Sequence, residues 1–563
     1  MAKKSEKNSG TLAPARNRGQ FNKYLQKGNQ LFSRGEYSQA LAFLNAAWNY
    51  DESNSQVGVQ IANCLFEIGE KAKAINVLSY VWQKAPENSD VCTVIGGAAT
   101  KMNFHDLALK AYEHYTRLNP NDPKGYVNFA AALKEIDQFD KAIDLLQNVI
   151  PIFPEHAPLW LALASVVHLR DGPEASLVFY EEAYRQAPDD RLVLYNLPAV
   201  YLDLGRLSDA KKVVQECISN YSEFSYPHLL YAKILMSEGN LQQGWEEYKW
   251  RHHPGSAASC VLPYDIPAWE SGMDITGKTL LISAEQGVGD EILATPVYKQ
   301  IVEQAGQVYI GCDERLVPLY KNSFPDAEIT PFDVFMTPEG RNGRLYPDLS
   351  PEDIETIDYY CFCLDALANV WRKPEDIKPR EKILLPSDAQ TEKWRARLED
   401  LPHKLNVGIC WKSGTMHVQR QLHYPPLEYW LPLLQNGKVN FINVQYGDNR
   451  DELAAFLMKH DIEIHDFEDL DLKDDFDGTA ALMSCLDLVI GPATTPVIQA
   501  GCTGTEVWWL TNGYPWWTFG PQDPPWLERG HIHAKDPNQP WPAFMTEMQG
   551  TFESWVTSQT SVK

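Results

Sequence analysis

Several features that mark other protein classes are scarce or missing in this chain of 563 residues. It has no stretch of 18 apolar residues, so we expect no membrane-spanning helix. Its 10 cysteines include no CxxC pair, the spacing typical of structural zinc sites, and their scatter favours a reducing cytoplasm. Basic residues number 50 against 75 acidic ones, and the net charge of −25 argues against nucleic acid or an anionic membrane surface as the main partner.

The N-terminal residues 1–19 are polar and basic and lack an apolar core. They predict neither a signal peptide nor a membrane anchor, and we expect a disordered tail. The whole chain has an ordinary hydrophobic content of 44%, and it is too long for a single core. Several domains are therefore predicted.

Residues 20–250 repeat with a period of 34 residues. One column of the repeat holds turn-forming residues, two hold small residues that let paired helices approach, and a fourth holds prolines where a second helix should end. About seven such units predict an α-solenoid and resemble the tetratricopeptide repeat family. Pro198 departs from its small-residue column and predicts a kink or a late helix start. The columns are Gly35, Gly69, Asn103, Asp137, Asp171, Gly205 and Gly239; Gly28, Ala62, Gly96, Ala130, Ala164, Pro198 and Ala232; Ala40, Ala74, Ala108, Ala142, Ser176, Ala210 and Gly244; and Pro86, Pro120, Pro154 and Pro188.

Stacked repeats leave a concave groove, whose default function is to hold a protein partner. Two residues before the column that begins at Gly28, amide side chains stand in four of the seven units. Such amides could pair with the backbone of an extended peptide, and a solvated helix surface is the alternative. The four predicted acceptor-binding residues are Gln26, Gln60, Asn128 and Asn196.

Residues 251–278 are rich in Pro, Gly, Ser and His and predict a linker. His252 and His253 would need a third ligand for a metal site, and the sequence offers none nearby. The acidic run at 468–477 predicts a solvated loop rather than a metal-binding DxD motif. We therefore expect no metal.

After residue 278 strands alternate with helices, which predicts parallel sheets. The pattern occupies residues 279–404, is interrupted by a polar stretch at 373–404, restarts over 405–535, and is followed by a C-terminal helix within 536–563. Two doubly wound halves would enclose a cleft, the usual place for a nucleotide. The predicted strands are 279–283, 307–312, 327–330, 359–364, 405–411, 439–445, 462–465, 486–491 and 507–511, and the predicted helices include 366–371 and 427–435.

The stretch Leu280–Pro296 is the centre of the predicted function. Its first residues predict a buried strand, Gln286–Gly289 a tight turn, and Asp290 the start of a helix. Asp290 would then lie at the carboxyl end of a strand, where open α/β sheets bind their ligands. A role as a helix cap is the alternative for this carboxylate.

The motifs of this region resemble those of the bacterial heptosyltransferase family. Gly287–Pro296 resembles its GDxLxxxP turn. Asn406–Trp411, followed by Arg420 and Pro425, is similar to its strand and basic loop, and Phe476–Gly491 is similar to its next helix and strand. The order of these motifs along the chain also agrees with that family.

This resemblance covers residues 279–535 and implies a GT-B fold, with 279–404 as the acceptor half and 405–535 as the nucleotide-sugar half. Repeats joined to such a domain look like the protein-modifying members, including O-linked N-acetylglucosamine transferase and bacterial flagellin glycosyltransferases. The resemblance thus implies a glycosyltransferase. We expect it to be cytoplasmic because of its scattered cysteines, metal-independent because no DxD motif resembles a metal site, and without a cofactor. It would move a sugar from a nucleotide sugar to Ser or Thr of a protein, with flagellin or another extended polypeptide as the expected acceptor.

Sugar transfer needs a base for the acceptor hydroxyl and a cation or dipole for the departing phosphate. The resemblance implies that Asp290 is the base, and the backbone of Gly287 and Gly289 would let the sugar approach closely. Thr494 and Thr495, which open a helix after a strand, suit a pyrophosphate, with an ordinary N-cap as the alternative. The other predicted donor-binding residues are Trp411, Lys412, Arg420 and Gly491, and a solvated surface is the alternative for Lys412.

Two positions depart from the heptosyltransferase pattern, which usually has Asp-Thr where Ala493-Thr494 stands and His where Ile498 stands. These departures leave a second function open, that of an inactive repeat scaffold. A third is a transferase acting on lipid-linked glycan. The aromatic residues at 514–517 and Trp526 either stack on a base or sugar or pack in the core.

Overall fold

The computed structural model describes residues 15–403, 405–414, 423–447, 449–513, 515–520 and 523–562. Most of the predicted tail, together with the predicted site residue Arg420, lies outside the described residues. The chain forms two compact units, Met1–Pro188 and Asp189–Lys563. Among the described residues, no helix combines the length and apolarity that are needed to cross a bilayer.

In the described part of the first unit, ten α-helices follow one another as an α-solenoid. The first begins at Ala15, inside the predicted tail. At several pair boundaries an Asn or Asp caps the next helix, as when the Asn54 side chain accepts a hydrogen bond from the Val57 N–H at 3.1 Å. The helices are α1 (Ala15–Phe32), α2 (Tyr37–Trp48), α3 (Ser55–Glu67), α4 (Lys71–Lys84), α5 (Ser89–Lys101), α6 (His105–Leu118), α7 (Pro123–Lys134), α8 (Phe139–Val149), α9 (Ala157–Asp171) and α10 (Pro173–Gln186).

The turn column of the predicted repeat adopts the left-handed backbone conformation. Glycine enters it without the steric penalty of a Cβ, and Asn or Asp tolerates it. In one unit Gly172 takes this conformation, with φ of 93°, in place of the predicted Asp171, which is the last residue of α9. The other members have φ of 74° at Gly35, 86° at Gly69, 58° at Asn103 and Asp137, 67° at Gly205 and 77° at Gly239.

Both small-residue columns are buried, as the period predicts. A Cβ placed on Gly28 would lie 2.8 Å from Leu44 Cδ2, so a larger residue there would force α1 and α2 apart. Pro198 is buried within a helix that starts seven residues earlier at Arg191, so a late helix start does not occur. The prolines of the fourth column stand two to five residues beyond a helix end, since they cannot continue it.

The second unit begins with four more helices of the repeat, α11 (Arg191–Asp203), α12 (Leu207–Asn220), α13 (Ser225–Ser237) and α14 (Leu241–Tyr248). Met236 and Trp245 belong to the same hydrophobic core as Leu280 and Ile282 of the first central strand. The Trp245 Nε1–H also donates a hydrogen bond of 2.7 Å to the Trp371 carbonyl. The last two repeats are therefore part of the α/β unit, and the division of the chain does not fall at the predicted boundary of residue 250.

Residues 251–404 form two sheets. The larger has strand order β4-β3-β2-β7 with all pairs parallel, and the smaller has order β1-β6-β5, in which β5 and β6 are antiparallel. The strands are β1 (Cys260–Val261), β2 (Thr279–Ser283), β3 (Gln307–Cys312), β4 (Glu328–Pro331), β5 (Asp333–Met336), β6 (Asn342–Leu345) and β7 (Tyr359–Phe362). The helices are α15 (Val288–Ala294), α16 (Tyr298–Gln304), α17 (Val317–Ser323), α18 (Pro351–Thr356), α19 (Cys363–Val370) and α20 (Asp388–Glu399).

The remaining chain forms a five-stranded parallel sheet with order β12-β11-β10-β8-β9. The chain passes from β8 to β9 on one side and then to β10 on the other, so a topological switch point lies between β8 and β10. The strands are β8 (Leu405–Ile409), β9 (Val439–Asn443), β10 (Leu488–Gly491), β11 (Glu506–Asn512) and β12 (Gly530–Lys535). The helices are α21 (Leu431–Leu434), α22 (Arg450–His460), α23 (Phe476–Ser484), α24 (Thr495–Cys502) and α25 (Trp541–Val562).

Several predicted elements were wrong in detail. The predicted strand 462–465 is reduced to one bridge between His465 and Ile442, and the predicted helix 427–435 splits into a 3-10 turn and the short α21. Strand 359–364 stops at Phe362 because Cys363 begins α19. The sequence analysis also missed β12, the β5–β6 hairpin, β1 within the predicted linker and α20 within the polar stretch.

Candidate functional site

A cleft of about 530 Å³ lies in the second unit, at the carboxyl ends of strands from both large sheets. It is lined by the loops that follow six different strands, including Trp516 and Trp517 after β11. Residues at this edge of a parallel sheet are where α/β folds bind their ligands. The lining includes Gly287 and Asp290 after β2, Arg315 after β3, Ser413 after β8, Tyr446 after β9 and Ala493–Thr495 after β10.

Asp290 lies half-buried in the wall of this cleft. Its Oδ2 accepts a hydrogen bond of 3.3 Å from the Gly287 N–H, so the same carboxylate also caps the turn before α15. Burial and the nearby Glu285 raise its pKa to about 6, while the Gly287 N–H, Lys233 and Arg251 oppose that rise. The carboxylate is thus ionised at neutral pH and has the proton affinity that suits a general base.

The second predicted turn faces the first across the cleft. α24 begins at Thr495, and Thr494 is its buried N-cap residue, with Oγ1 3.3 Å from the Pro492 carbonyl. A Cβ placed on Gly289 would lie 2.9 Å from the Thr495 hydroxyl oxygen. The glycine turn and the threonine turn therefore lie so close that only a residue without a side chain fits between them.

Two cationic side chains that the sequence analysis missed also line the cleft. Arg315 forms ion pairs with Asp313 at 2.8 Å and with Asp474 at 3.1 Å, and so joins the two α/β halves. Lys473 is exposed and makes no side-chain hydrogen bond or ion pair with the residues that the structure describes. Arg315 follows the end of the predicted strand 307–312, a signal that could have identified it. Lys473 was missed because it lies in the acidic run 468–477, which predicted a solvated loop.

The aromatic segment is divided between the cleft and the core. Trp516 and Trp517 line the cleft, and the Trp516 ring lies 5.6 Å from the ring of Tyr248 on α14. Trp526 is completely buried, and its Nε1–H lies 3.4 Å from the Trp517 carbonyl. Tyr514 lies outside the described residues. Core packing thus holds for Trp526 and for Trp517, which also belongs to the hydrophobic core, while stacking of Trp516 or Trp517 on a base or sugar stays a prediction.

Three predicted donor-binding residues do not line the cleft. The Trp411 side chain is 1% exposed and packs in the core between the five-stranded sheet and α25. The Lys412 ammonium forms an ion pair with Glu452. Gly491 ends β10 where a Cβ would lie 2.7 Å from the Cys410 carbonyl oxygen, so its role is close strand packing. The structure thus gathers Gly287, Gly289, Thr494 and Thr495 around Asp290, but not these three.

The two departures from the heptosyltransferase pattern, Ala493 and Ile498, both line the cleft. Any ligand in the cleft would therefore meet a methyl group and a branched alkyl chain where an Asp and a His usually stand.

The four predicted groove amides differ in their surroundings. Gln26 is exposed, and Asn128 is half-buried. Gln60 is half-buried, and its Oε1 has no hydrogen-bond donor among the described residues. The Asn196 amide donates a hydrogen bond of 2.7 Å to the Leu192 carbonyl of its own helix, and it belongs to the second unit.

A buried ion network lies directly before the glycine turn. The Arg251 guanidinium contacts both carboxylate oxygens of Glu285, at 2.9 and 3.1 Å, and Asp365 Oδ1 at 2.6 Å. His252, predicted to stand in a plain linker, lies with Nε2 2.9 Å from Asp365 Oδ2. Within the described ranges, no group of three or more His, Cys, Asp or Glu residues could hold a metal ion.

Comparison with known proteins supports the repeats and identifies a relative over most of the chain. Residues 31–94 match the tetratricopeptide repeat family. Two partial relatives are BBSome complex member BBS4 of Bos taurus, 23% identical over 37% of this chain and 38% of that protein, and the protein O-mannosyl-transferase TMTC1 of Mus musculus, 28% identical over 17% of this chain and 11% of that protein. A solved tetratricopeptide repeat protein from Parabacteroides merdae is 13% identical, with a TM-score of 0.32, over 41% of this chain and 91% of that chain.

The long match is to protein FlbA of Caulobacter vibrioides. The two chains are 32% identical over 467 residues, which are 82% of this chain and 76% of FlbA. An alignment of this length must include both the repeats and the α/β region that contains the cleft. The chain therefore belongs to the same family as protein FlbA.

Proposed function

We propose that the second unit is a glycosyltransferase of the GT-B type that moves a sugar from a nucleotide sugar to a Ser or Thr hydroxyl of a protein. The observation that carries this proposal is the cleft at the carboxyl ends of two parallel sheets, with a carboxylate on one wall and a helix N-terminus on the other. A volume of about 530 Å³ is within the range of small-molecule sites.

In the proposed reaction Asp290 is the general base. The acceptor hydroxyl oxygen attacks the anomeric carbon, the bond from that carbon to the phosphate oxygen breaks, and the hydroxyl proton passes to the Asp290 carboxylate. The departing nucleotide keeps the bonding electrons as negative charge on its phosphate. The Thr495 N–H at the start of α24, together with Lys473 and Arg315, would stabilise that charge.

The acceptor is proposed to be a polypeptide that the repeats hold. Tetratricopeptide repeats form the first unit, and TMTC1, which shares a short similar stretch, is by its name a protein O-mannosyl-transferase. Flagellin is the leading acceptor, because repeats fused to a transferase resemble flagellin glycosyltransferases. The described cysteines are all free thiols, which fits a cytoplasmic location.

The Asp290→Asn variant tests the proposal. The amide keeps the size of the side chain but cannot accept the proton, so we expect transfer to fall about 10²–10⁴-fold while nucleotide binding persists. Intact mass spectrometry of a co-expressed acceptor measures transfer, and calorimetry with nucleoside mono- and diphosphates measures binding.

Asp461→Asn is the matched control, because Asp461 is not among the residues that line the cleft and has φ of 51°, a conformation that Asn tolerates. This control should retain full activity. Undiminished turnover by Asp290→Asn would contradict the assignment of the base.

An inactive scaffold is the second candidate, and the positions of Ala493 and Ile498 in the cleft support it. A scaffold would bind acceptor through its repeats without transferring sugar from any nucleotide sugar. The double variant Ala493→Asp/Ile498→His restores the usual family residues. Transfer that appears only in this variant would favour the scaffold, and transfer by the natural chain would exclude it.

A further inference from the structure

Arg315 is a cleft residue whose guanidinium is shared between the two α/β halves. In its own half, Nε and Nη2 donate hydrogen bonds to the two carboxylate oxygens of Asp313 at 2.8 and 2.9 Å. Toward the other half, Nη1 donates to Asp474 Oδ1 at 3.1 Å and to the Lys473 carbonyl at 3.2 Å. These four hydrogen bonds engage a group that has five N–H donors. A ligand phosphate that binds Arg315 strongly must therefore take the place of one of these acceptors.

Asp313 is fixed in its position by further contacts. Its Oδ1 also accepts the backbone N–H of Arg315 at 3.0 Å, which caps the short 3-10 turn after β3. The Asp313 N–H in turn donates to Glu291 Oε2 at 3.0 Å, and Glu291 is a buried residue of α15, next to Asp290. A bidentate pair between a carboxylate and a guanidinium also fixes the orientation of both groups. Asp313 thus ties Arg315 to the helix that carries Asp290.

The contact with Asp474 is of a weaker kind. It is a single hydrogen bond, and the Asp474 side chain is 55% exposed, against 23% for Asp313. Exposed ion pairs contribute little, because water competes for both partners. A phosphate oxygen is an anionic acceptor like a carboxylate oxygen, so it can replace Asp474 on Nη1. The neighbouring Lys473 lines the same cleft, and its ammonium can bind the same phosphate.

We propose that Asp474 holds the place of a phosphate on Arg315: the phosphate of a bound nucleotide displaces the Asp474 carboxylate from Nη1, while Asp313 keeps the guanidinium in position. Asp313 is then a positioning residue, and Asp474 is a competitor that limits the affinity of the cleft for the nucleotide. The source of the phosphate, a nucleotide sugar, rests on the proposed function. Because Nη1 also bonds the Lys473 carbonyl, the loop stays attached to Arg315 when Asp474 leaves.

Two substitutions separate these roles, because each removes one negative charge from the same arginine. In Asp474→Asn the phosphate no longer competes with a carboxylate, so nucleotide affinity should rise about two- to fivefold. In Asp313→Asn the guanidinium keeps Asp474 as its only carboxylate partner, so affinity should fall about fivefold, while Asn preserves the cap of the 3-10 turn. The loss of negative charge alone would raise affinity in both variants. Calorimetry with nucleoside mono- and diphosphates measures these affinities.

Glu468→Gln is the charge-matched control. This exposed residue belongs to the same acidic run but is not among the described residues that line the cleft, so its substitution should leave affinity unchanged. Arg315→Met provides the second control, because it removes the guanidinium for which the phosphate and Asp474 compete. In that background, Asp313→Asn and Asp474→Asn should have no further effect on affinity. A merely structural role of either aspartate would persist there.

The outcomes separate this inference from the proposed function. Affinity changes of the same sign in Asp313→Asn and Asp474→Asn, or changes that persist in Arg315→Met, would overturn the exchange of acceptors on Arg315. Opposite changes without sugar transfer by the natural chain would support the exchange and refute the glycosyltransferase. Transfer by the natural chain with equal affinities in all variants would refute the exchange alone. A natural chain that binds none of the nucleotides would overturn both.

Discussion

Removal of Arg251 should be among the most damaging single substitutions in the second unit. In Arg251→Met the buried Glu285 carboxylate loses both guanidinium contacts and keeps the Leu364 N–H at 3.2 Å as its main donor. The Asp365 carboxylate is less destabilised by the substitution, because it is partly exposed to solvent and keeps its contact with the His252 ring. Breaking a buried ion pair from one side costs about 3–5 kcal/mol, since an uncompensated charge remains. We expect a loss of that size in the stability of the second unit.

Hydrogen exchange measured by mass spectrometry suits this test, because peptides from each of the two compact units are followed separately. Peptides covering β2 and α19 should exchange about 10²- to 4 × 10³-fold faster in Arg251→Met, a tenfold change per 1.4 kcal/mol. Adding Glu285→Gln to this variant removes the orphaned charge and should recover part of the loss. Arg170→Met in the first unit, which removes exposed ion pairs with Asp140 and Asp171, should change exchange little.

The reasoning would fail if Arg251→Met exchanged at the natural rate, or if the double variant were no more stable than Arg251→Met. The first result would mean that the ion pairs contribute no net stability. The second would mean that the cost arises from lost packing of the arginine side chain rather than from the charge of Glu285.

Two further substitutions test other parts of the site. Burial, with Asp313 and Asp290 nearby, raises the pKa of Glu291 to about 8, so the free energy of unfolding falls as pH rises from about 4.5 through 8. The stability of Glu291→Gln should therefore match that of the natural chain at pH 5 and exceed it at pH 8.5, on the order of 3 kcal/mol. Equal thermal stabilities of the two proteins at both pH values would contradict this. Gly289→Ala places a methyl group 2.9 Å from the Thr495 hydroxyl and should weaken nucleotide binding about tenfold in calorimetry. Gly550→Ala is the control, because its added methyl group has no atom within 4 Å, and it should bind the nucleotide normally. Equal nucleotide affinities of the two variants would contradict a close approach of Gly289 to Thr495.

The repeats were predictable because their determinants are local and recur. Each unit needs a small residue where its helices cross and a residue that tolerates positive φ at the turn, and both recur every 34 residues. The parallel strands were also predictable, since buried strands are continuous apolar runs, as in Leu488–Gly491. Asp290 could be placed at the edge of a sheet for the same reason.

Long-range pairing was much harder to predict. The polar run from Gly530 to Lys535 does not predict a strand. It forms an edge strand that pairs with β11 alone and is mostly half-buried, so it lacks the apolar run of a central strand. Arg251 was placed in a linker because its partners lie 34 and 114 residues away in sequence. The donor-binding role of Trp411 was inferred from its place at the end of a predicted strand that resembles the family's strand and basic loop. The direction of its side chain, into the core, depends on packing that the sequence does not display.

The sharing of one core by α13, α14 and the β2 sheet has a practical consequence for taking the molecule apart. A cut at residue 250 would separate Met236 and Trp245 from their core neighbours and expose an apolar surface on the remaining fragment. A cut between Pro188 and Asp189 would leave both cores whole. The early repeats are therefore the part of the chain at which we expect changes in length to be tolerated, whereas α13 and α14 are needed to complete the core of the second unit.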